Sequence, residues 1–284
     1  PQHVVELQNS SVDEIRVGCF NIAHGRGEQY GGSNWDGGDK NTKINRCKQI
    51  GRLLRAEQLD IVVLNEVDFS SAWSGHTDQA RIIAEEAGYP YIVEQRNLDM
   101  AVPFFSIRFG NAMLSKFPIS NTRFIDYPNL LELVEPFTGG FKEGVVSTIE
   151  LPGGKNVQVA AVHLYAFDGT LQGPSGAMLL EHYKQSGIPL IAMGDFNTAP
   201  RGYPQYLTDK QGRNALEMFL HDGHFSTLPR TSSPSLQDFT FPATNPERVL
   251  DWIVVSDPYH IRSKKVVPSA LSDHLPVTAT INID

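Results

Sequence analysis

The sequence contains little cysteine, with Cys19 and Cys47 as the only two in 284 residues. Two cysteines cannot form the disulfide framework of a small secreted domain, and their spacing matches no zinc motif. We therefore expect both to be small buried apolar groups. Cysteine usage leaves the redox compartment open.

Long apolar runs are also missing from the sequence. No stretch of eighteen or more apolar residues occurs, so a membrane-spanning helix is not predicted. The start has no signal-peptide pattern, but the chain begins at Pro1 instead of Met, so an upstream segment could have been removed. The localisation is accordingly left unknown.

The sequence lacks an excess of basic residues, since 24 Lys and Arg stand against 32 Asp and Glu, for a net charge of -8. Non-specific binding to long nucleic acid relies on a basic surface that neutralises phosphates. The acidic balance therefore disfavours extended non-specific nucleic-acid binding. A surplus of carboxylates also agrees with a site for a divalent cation.

Strands and helices alternate along the whole chain, without a repeat or a linker. Apolar patterns predict strands at 17–22, 60–67, 91–94, 111–115, 145–151, 157–164, 189–193, 249–255 and 276–283. Helices are predicted at 42–57, at 77–88 with Thr77 as N-cap and Gly88 as C-cap, and at 175–185. The segments 25–39 and 222–245 are predicted surface loops. Crossovers mixed with hairpins indicate an α/β fold with a mixed sheet or two sheets, and we expect one domain over residues 1–284.

Polar side chains end several predicted strands, at positions where an apolar residue would be less costly to bury. They are Asn21 and His24, Glu66 and Asp68, His163, Asp195 and Asn197, Asp251, and Asp273 and His274. Any one of them alone is most often a turn former or a satisfied core residue. Six such strand ends together favour a shared site, because unpaired buried carboxylates would each destabilise the fold.

The residue types in this set suit metal-assisted acid–base chemistry. Glu66, Asp195, Asn197, Asp273 and Asn21 offer carboxylate and amide oxygens, which suit Mg²⁺, Ca²⁺ or Mn²⁺. Zinc is less favoured, since there is no HExxH motif and no cysteine cluster, although the histidines keep it as an alternative. Two histidines with separate carboxylate partners can supply an acid and a base near neutral pH. The combination indicates a hydrolase.

Five motifs in fixed order carry a resemblance to a known family. They are FNI with Asn21, LNEVD with Glu66, GDFN with Asp195 and Asn197, LDWIVVS with Asp251, and SDHLPV with Asp273 and His274. Over about residues 15–281 the chain resembles the endonuclease/exonuclease/phosphatase superfamily of DNase I-like, metal-dependent phosphoesterases. The resemblance implies a four-layer α/β sandwich, in which two packed mixed β-sheets are flanked by helices.

The resemblance also implies roles for matching residues. The implied metal site consists of Glu66, Asn21 and Asp273, holding Mg²⁺ or alternatively Mn²⁺ or Ca²⁺. The implied catalytic residues are His163, Asp195, Asn197, Asp251 and His274, and the implied substrate-binding residues are Asn21, Asn111 and Arg26. We expect hydrolysis of a phosphate ester, with a phosphodiester favoured. A nuclease or a phosphomonoesterase is the alternative, and a non-catalytic phosphate-binding module is less favoured.

Some residues depart from the family pattern. DNase I-like relatives pair the histidine matching His163 with a glutamate, but residues 107–109 hold no carboxylate. Glu143 is the nearest substitute, although a solvated charge is the favoured interpretation. Many relatives have Gln at the position of Asn65, and they often carry Tyr at the position of Trp252, which we interpret as a core residue.

Three polar residues lie in or next to the first long loop. His24, Arg26 and Lys40 are interpreted as ordinary surface residues, with contact to a substrate phosphate as the alternative.

Overall fold

The computed structural model describes residues 12–128, 142–167, 169–229, 235 and 237–284. In this part of the chain the strands are β1 (Glu14–Asn21), β2 (Ile61–Ser71), β3 (Thr77–Asp78), β4 (Tyr91–Val102), β5 (Phe105–Ser115), β6 (Ile119–Asp126), β7 (Glu143–Glu150), β8 (Asn156–His163), β9 (Leu190–Asp195), β10 (Phe225–Thr227), β11 (Asp251–Ser256), β12 (His260–Val266) and β13 (Val277–Asn282). The helices are α1 (Lys40–Ala56), α2 (Gln79–Ala87), α3 (Gly169–Ser186) and α4 (Ala215–His221).

The strands form two mixed sheets. The first has the order β12-β13-β1-β2-β5-β4, with β3 paired to β2, and the second has the order β10-β11-β9-β8-β7-β6. Each sheet contains one parallel pair, β1 with β2 and β8 with β9, and the other pairs are antiparallel. A helix connects each parallel pair, α1 in the first sheet and α3 in the second, as a crossover requires.

Three apolar clusters define four layers. One cluster fills the space between the sheets and includes Val17, Val63, Val159 and Ile253. A second cluster packs α1 and α2 against the outer face of the first sheet, and a third packs α3 and α4 against the second sheet. Alternate residues of a strand face opposite sides, so each central strand contributes to two layers. The predicted four-layer sandwich is confirmed.

Helix starts differ from the sequence-based predictions. Helix α1 begins after Asp39, whose carboxylate accepts a hydrogen bond from the Thr42 amide at 2.8 Å. The predicted N-cap of α2, Thr77, is wrong, because Thr77 lies in β3 and the Asp78 carboxylate caps the helix instead. The predicted C-cap of this helix, Gly88, is confirmed by its left-handed backbone (φ 86°). Helix α3 begins at Gly169, before the predicted start at residue 175.

Several elements were not predicted from the sequence. They are β6, β10, β12 and α4, together with the outer half of the β4–β5 hairpin. Strands β6 and β12 lie at sheet edges and are largely exposed, so they lack the apolar run that identifies a buried strand. The predicted loop 222–245 contains β10, and residues 230–234 and 236 within it lie outside the described residues.

Other expectations from composition hold. Cys19 and Cys47 are both buried free thiols. The predicted strands 145–151 and 157–164 are β7 and β8, which form a hairpin around Pro152–Gly154. In the described ranges no helix combines the length and the apolar character needed to cross a membrane.

Candidate active site at the carboxyl ends of two parallel strand pairs

Strand register places the predicted polar residues side by side. In the second sheet Asp195 of β9 is paired with His163 of β8 on one side and with Asp251 of β11 on the other. In the first sheet Asn21 of β1 is paired with Asn65 of β2. The two rows face each other across the sandwich, since Asn21 Nδ2 donates to Asp195 Oδ2 at 3.1 Å and the Asp195 amide donates to Asn65 Oδ1 at 3.0 Å.

A glycine allows the two sheets to approach closely at this edge. Gly194, in the GDFN motif, has φ 138°, a conformation that other residues rarely adopt. A Cβ at this position would collide with the Val162 carbonyl and lie 3.0 Å from Asn65 Oδ1. The Asn65 side chain crosses this gap, accepting a hydrogen bond from the Asp195 amide at 3.0 Å. The glycine is therefore required by packing at the site.

Asn21 connects carboxylates that belong to different sheets. Its Nδ2 donates hydrogen bonds to Glu66 Oε1 and to Asp195 Oδ2, each at 3.1 Å. Its Oδ1 accepts from the Ala23 amide at 3.0 Å. In this orientation the amide nitrogen of Asn21 holds the two carboxylates in place, and Asn21 as a metal ligand stays a prediction.

Asp251 and His274 form a buried pair. His274 Nδ1 lies 2.9 Å from Asp251 Oδ2, and His274 Nε2 lies 3.8 Å from Asp195 Oδ2. An ionised carboxylate can only accept, so Nδ1 is the donor. Burial alone would lower the pKa of His274, but the Asp251 and Asp195 carboxylates raise it to about 10. At neutral pH the ring is therefore an imidazolium.

Asp195 lies between these groups, and its pKa is raised above the usual value of an aspartate. Burial raises its pKa to about 7; the charge of Asp251 adds to this effect, and that of His274 opposes it. The Asn197 backbone amide donates to Asp195 Oδ1 at 2.8 Å, while Asn197 Nδ2 donates to the Leu164 carbonyl at 2.9 Å. Asn197 has φ 51°, which turns the chain after β9 so that its amide faces the carboxylate.

His163 is in a different electrostatic environment. Its Nδ1 lies 3.2 Å from Asn111 Oδ1, and the Lys142 ammonium lies 2.8 Å from its Nε2. Burial and the charge of Lys142 hold the pKa of His163 well below its usual value. Glu66 is the nearest acid, with Oε1 3.9 Å from Nε2, which is too long for a hydrogen bond. The expectation of a carboxylate partner for both histidines is wrong for His163.

The proposed substitute acid, Glu143, does not contact His163. Gln95 donates a hydrogen bond to Glu143 at 3.3 Å, and Gln95 also accepts one from Asn111. Two amide side chains thus separate Glu143 from His163. Glu143 is half-buried with a pKa raised by burial, so the interpretation as a solvated charge is also incomplete.

The interpretation of His24 and Arg26 as surface residues is wrong. His24 is 5% exposed, with Nδ1 2.8 Å from Asp68 Oδ1 and Nε2 3.6 Å from Glu66 Oε2. Arg26 donates to the carbonyl of Gly32 at 2.6 Å and lies 3.4 Å from Asp273 Oδ2. Both face the site because the chain turns back through Ala23–Gly25 directly after β1.

Two of the remaining interpretations agree with the structure. Lys40 is exposed, as a surface residue should be. Trp252 is fully buried in the core against α4, and its Nε1 donates to the Thr198 carbonyl at 3.0 Å.

A family model matches this arrangement. The Endonuclease/Exonuclease/phosphatase family model covers residues 18–274, a range that includes every predicted site residue. The chain belongs to this family. No curated protein sequence matches it.

Solved structures of Endonuclease/Exonuclease/phosphatase proteins have the same fold. The protein from Beutenbergia cavernae DSM 12333 has a TM-score of 0.71 at 22% identity, covering 95% of this chain and 72% of its own. The catalytic domain of human Nocturnin, with a bound sulfate anion, has a TM-score of 0.66 at 20% identity, covering 95% and 93%. The mannosyl-6-phosphatase of Bacteroides thetaiotaomicron VPI-5482 has a TM-score of 0.64 at 15% identity, covering 94% and 98%.

Two positions in the candidate active site have side chains suited to a cation. Ligand atoms of Asp195, Asp251 and His274 lie within 4.8 Å of one another, but all three are buried and His274 is already hydrogen-bonded to Asp251. The Glu66 side chain is 29% exposed. Burial raises the Glu66 pKa, but nearby His24 and Lys142 and the hydrogen bond from Asn21 lower it well below its usual value. An ionised, accessible carboxylate suits a hydrated hard cation better.

The third predicted metal ligand, Asp273, is more enclosed than Glu66. Its carboxylate faces Arg26 and lies 3.4 Å from the Ser272 hydroxyl. Burial and the charge of Glu66 raise the Asp273 pKa, against the lowering effect of His274. Asp273 thus lies next to the Glu66 position but has partners of its own.

Proposed function

We propose that the protein hydrolyses a phosphodiester in a reaction that depends on a divalent cation, Mg²⁺ or Mn²⁺, with Ca²⁺ as a weaker alternative. Family membership supports phosphate-ester hydrolysis as the general activity. One observation carries the specific proposal: the carboxylates of Glu66 and Asp195, joined through Asn21, share one rim with the hydrogen-bonded pair of Asp251 and His274. Such a set can bind charge, take a proton and stabilise an anion.

Glu66 is the residue we assign to the cation. A divalent cation bound there would polarise a phosphoryl oxygen and offset its charge. Asn21 fixes the Glu66 carboxylate relative to Asp195 through its two 3.1 Å hydrogen bonds. Asn21 therefore fixes the separation between the cation-binding carboxylate and the carboxylate that accepts the proton.

Asp195 is the general base in this proposal. A base is most effective when its pKa lies near the working pH, and burial raises the Asp195 pKa to about 7. The amide of Asn197 and the side chain of Asn21 each donate to a different Asp195 oxygen, which fixes the carboxylate plane. Asp195 can then accept the proton of a water that attacks phosphorus.

His274 supplies positive charge to the phosphate. Asp251 holds its Nδ1 at 2.9 Å, so the Nε2 proton is directed towards the cleft beside Asp195. A fixed donor of this kind stabilises negative charge that develops on phosphoryl oxygens. His163 stays neutral because of its lowered pKa, and since its Nε2 accepts from Lys142 it holds that ammonium at the rim and does not itself donate to the phosphate.

The favoured substrate is a small or headgroup phosphodiester. A net charge of -8 disfavours long nucleic acid, which leaves a nuclease as the first alternative and a phosphomonoesterase as the second. A pure binding module is disfavoured, because Glu66, Asp195, Asp251 and His274 are all present in hydrogen-bonded or ion-paired positions. The sequence retains each of these four residues at its motif position.

A substrate panel tests the proposal. Bis-p-nitrophenyl phosphate, p-nitrophenyl phosphate, sphingomyelin and plasmid DNA are each assayed with Mg²⁺, with Mn²⁺ and with EDTA. We expect the first substrate to be cleaved fastest, with EDTA abolishing turnover and added Mg²⁺ or Mn²⁺ restoring it. Glu66→Gln should lower turnover about 100-fold or more, since it removes the charge that holds the cation.

The matched control is Glu14→Gln, an exposed carboxylate at the opposite end of the sandwich that pairs with Arg262. It should leave turnover unchanged. Full activity of the protein in EDTA, or of Glu66→Gln in Mg²⁺, would contradict the proposed cation site. A faster reaction on plasmid DNA than on the small diester would replace the substrate assignment with the nuclease alternative.

A further inference from the structure

His24 is a buried imidazole held by an acid beside the site. Its Nδ1 lies 2.8 Å from Asp68 Oδ1, and Trp73 Nε1 donates to both Asp68 oxygens at 3.0 and 2.9 Å. Because the Asp68 carboxylate only accepts, His24 must donate from Nδ1. The side-chain torsions of His24 are thus fixed by a hydrogen bond on the side of the ring away from Glu66.

The other edge of the same ring faces Glu66. His24 Nε2 lies 3.6 Å from Glu66 Oε2, while Asn21 donates to the other carboxylate oxygen at 3.1 Å. The ring has Trp73 and Phe109 edge-on at centroid distances of 5.7 and 5.3 Å. These two aromatic contacts and the hydrogen bond to Asp68 hold the imidazole in one position relative to Glu66.

The backbone supports the same arrangement. His24 has φ 54° and Glu66 has φ 52°, both in the left-handed region that non-glycine residues seldom adopt. Gln79 joins the two segments, since its Nε2 donates to the His24 carbonyl and its Oε1 accepts from the Asp68 amide, each at 2.9 Å. Rare conformations held by such specific contacts are common where a side chain must point in one direction.

We propose that His24, held by Asp68, is a positioning residue that restrains the Glu66 carboxylate and so sets the affinity of the site for a divalent cation. The inference rests on the proposed function, because it assumes that Glu66 binds the cation. Outer residues that orient a metal ligand typically change metal affinity by 10–100-fold when they are replaced.

Two substitutions of His24 separate its two edges. His24→Asn keeps an amide donor near Asp68, removes the edge that faces Glu66, and suits the left-handed backbone, which Asn tolerates well. His24→Gln has the longer reach needed to place an amide near Glu66. We expect both variants to bind Mn²⁺ more weakly than the unmodified protein does. His24→Asn should bind it more weakly than His24→Gln.

Calorimetric titration with Mn²⁺ alone, without substrate, measures the effect independently of turnover. Glu66→Gln should remove the binding event, and His24→Asn should raise its Kd about 10-fold or more. Asp68→Ala should raise the Kd as well, because it removes the oxygen that accepts the hydrogen bond from His24 Nδ1. Activity of His24→Asn should recover as the Mn²⁺ concentration is raised, an effect that general unfolding would not produce.

The chain offers a matched control in His76→Asn. His76 also has a left-handed backbone (φ 58°), and its Nδ1 lies 3.0 Å from Ser106 Oγ. It should bind Mn²⁺ as the unmodified protein does. The inference would be overturned if His24→Asn bound Mn²⁺ with the same Kd as His76→Asn. It would also be overturned if His24→Asn bound Mn²⁺ more tightly than His24→Gln. Unchanged Mn²⁺ binding by Glu66→Gln would instead overturn the cation assignment in the proposed function.

Discussion

Two histidines at the same rim differ sharply in their electrostatic surroundings. His274 and His163 are 6% and 3% exposed, so both rings have lost nearly all contact with solvent. The Asp251 carboxylate raises the pKa of His274 to about 10, whereas Lys142 lowers the already reduced pKa of His163 further. Burial lowers the pKa of both rings, and neighbouring carboxylates overcome that lowering only at His274, so the charges of the partners account for the difference between the two rings.

This difference assigns distinct tasks to rings that look equivalent in the sequence. His274 is an imidazolium over the whole physiological range and suits the stabilisation of negative charge. His163 is neutral, with an amide at Nδ1 and an ammonium at Nε2. To act as an acid, His163 would first have to bind a second proton, and the positive charge of Lys142 opposes that protonation.

The largest effect should come from removing the acid that charges His274. Asp251→Asn deletes the main cause that raises the His274 pKa, and we expect kcat to fall by about 10²–10⁴. In the unmodified protein, activity should rise through pH 7 as Asp195 loses its proton and fall near pH 10 as His274 loses its own. In Asp251→Asn both limbs should move to lower pH, because the charge of Asp251 raises both pKa values.

A full pH–rate profile measures this prediction. Asp222→Asn serves as the control, because Asp222 is also a buried carboxylate but pairs with Lys184 on another face. It should keep the profile of the unmodified protein. An unchanged alkaline limb in Asp251→Asn would mean that His274 is not the group that titrates there.

A smaller effect should follow from giving His163 the acid it lacks. Asn111→Asp places a carboxylate 3.2 Å from His163 Nδ1, where an amide oxygen now lies. A nearby opposite charge typically raises a histidine pKa by about 1–3 units. Imidazole resonances followed by NMR across pH should show this rise. Asn156→Asp, at the exposed start of β8, should leave the His163 titration where it was.

Much of the site geometry could be predicted from sequence patterns, because the ends of buried strands can be recognised in the sequence. Asn21 and Asp195 end apolar strands and Asp251 begins one, and strand register together with the hydrogen bond from Asn21 to Asp195 places them side by side. The alternation of strands and helices indicated the α/β class, and the four-layer sandwich was implied by the family resemblance. Edge strands such as β12 were not predicted, since a half-exposed strand has no continuous apolar run.

Charge states of the site could not be predicted from the same patterns. Lys142 is distant from His163 in sequence and precedes β7, so its contact depends on how the β7–β8 hairpin packs. His24 lies in a glycine-rich stretch that suggests a loop, and its burial arises only because Gln79 and Asp68 reach it from other segments. Contacts between segments far apart in the chain leave no local periodicity to detect.

The smallest effect should come from removing the ammonium beside His163. Lys142→Met keeps much of the side-chain volume but deletes the charge that lies 2.8 Å from Nε2. The His163 pKa should rise, because Lys142 is the second cause of its lowering after burial, which remains. We expect less than about a tenfold change in turnover, since His274 and Asp195 are untouched. NMR titration of His163 in Lys142→Met, beside Lys155→Met as an exposed control that pairs with Asp13 and Asp284, provides the measurement. Identical titration curves in the two variants would show that burial alone keeps His163 neutral.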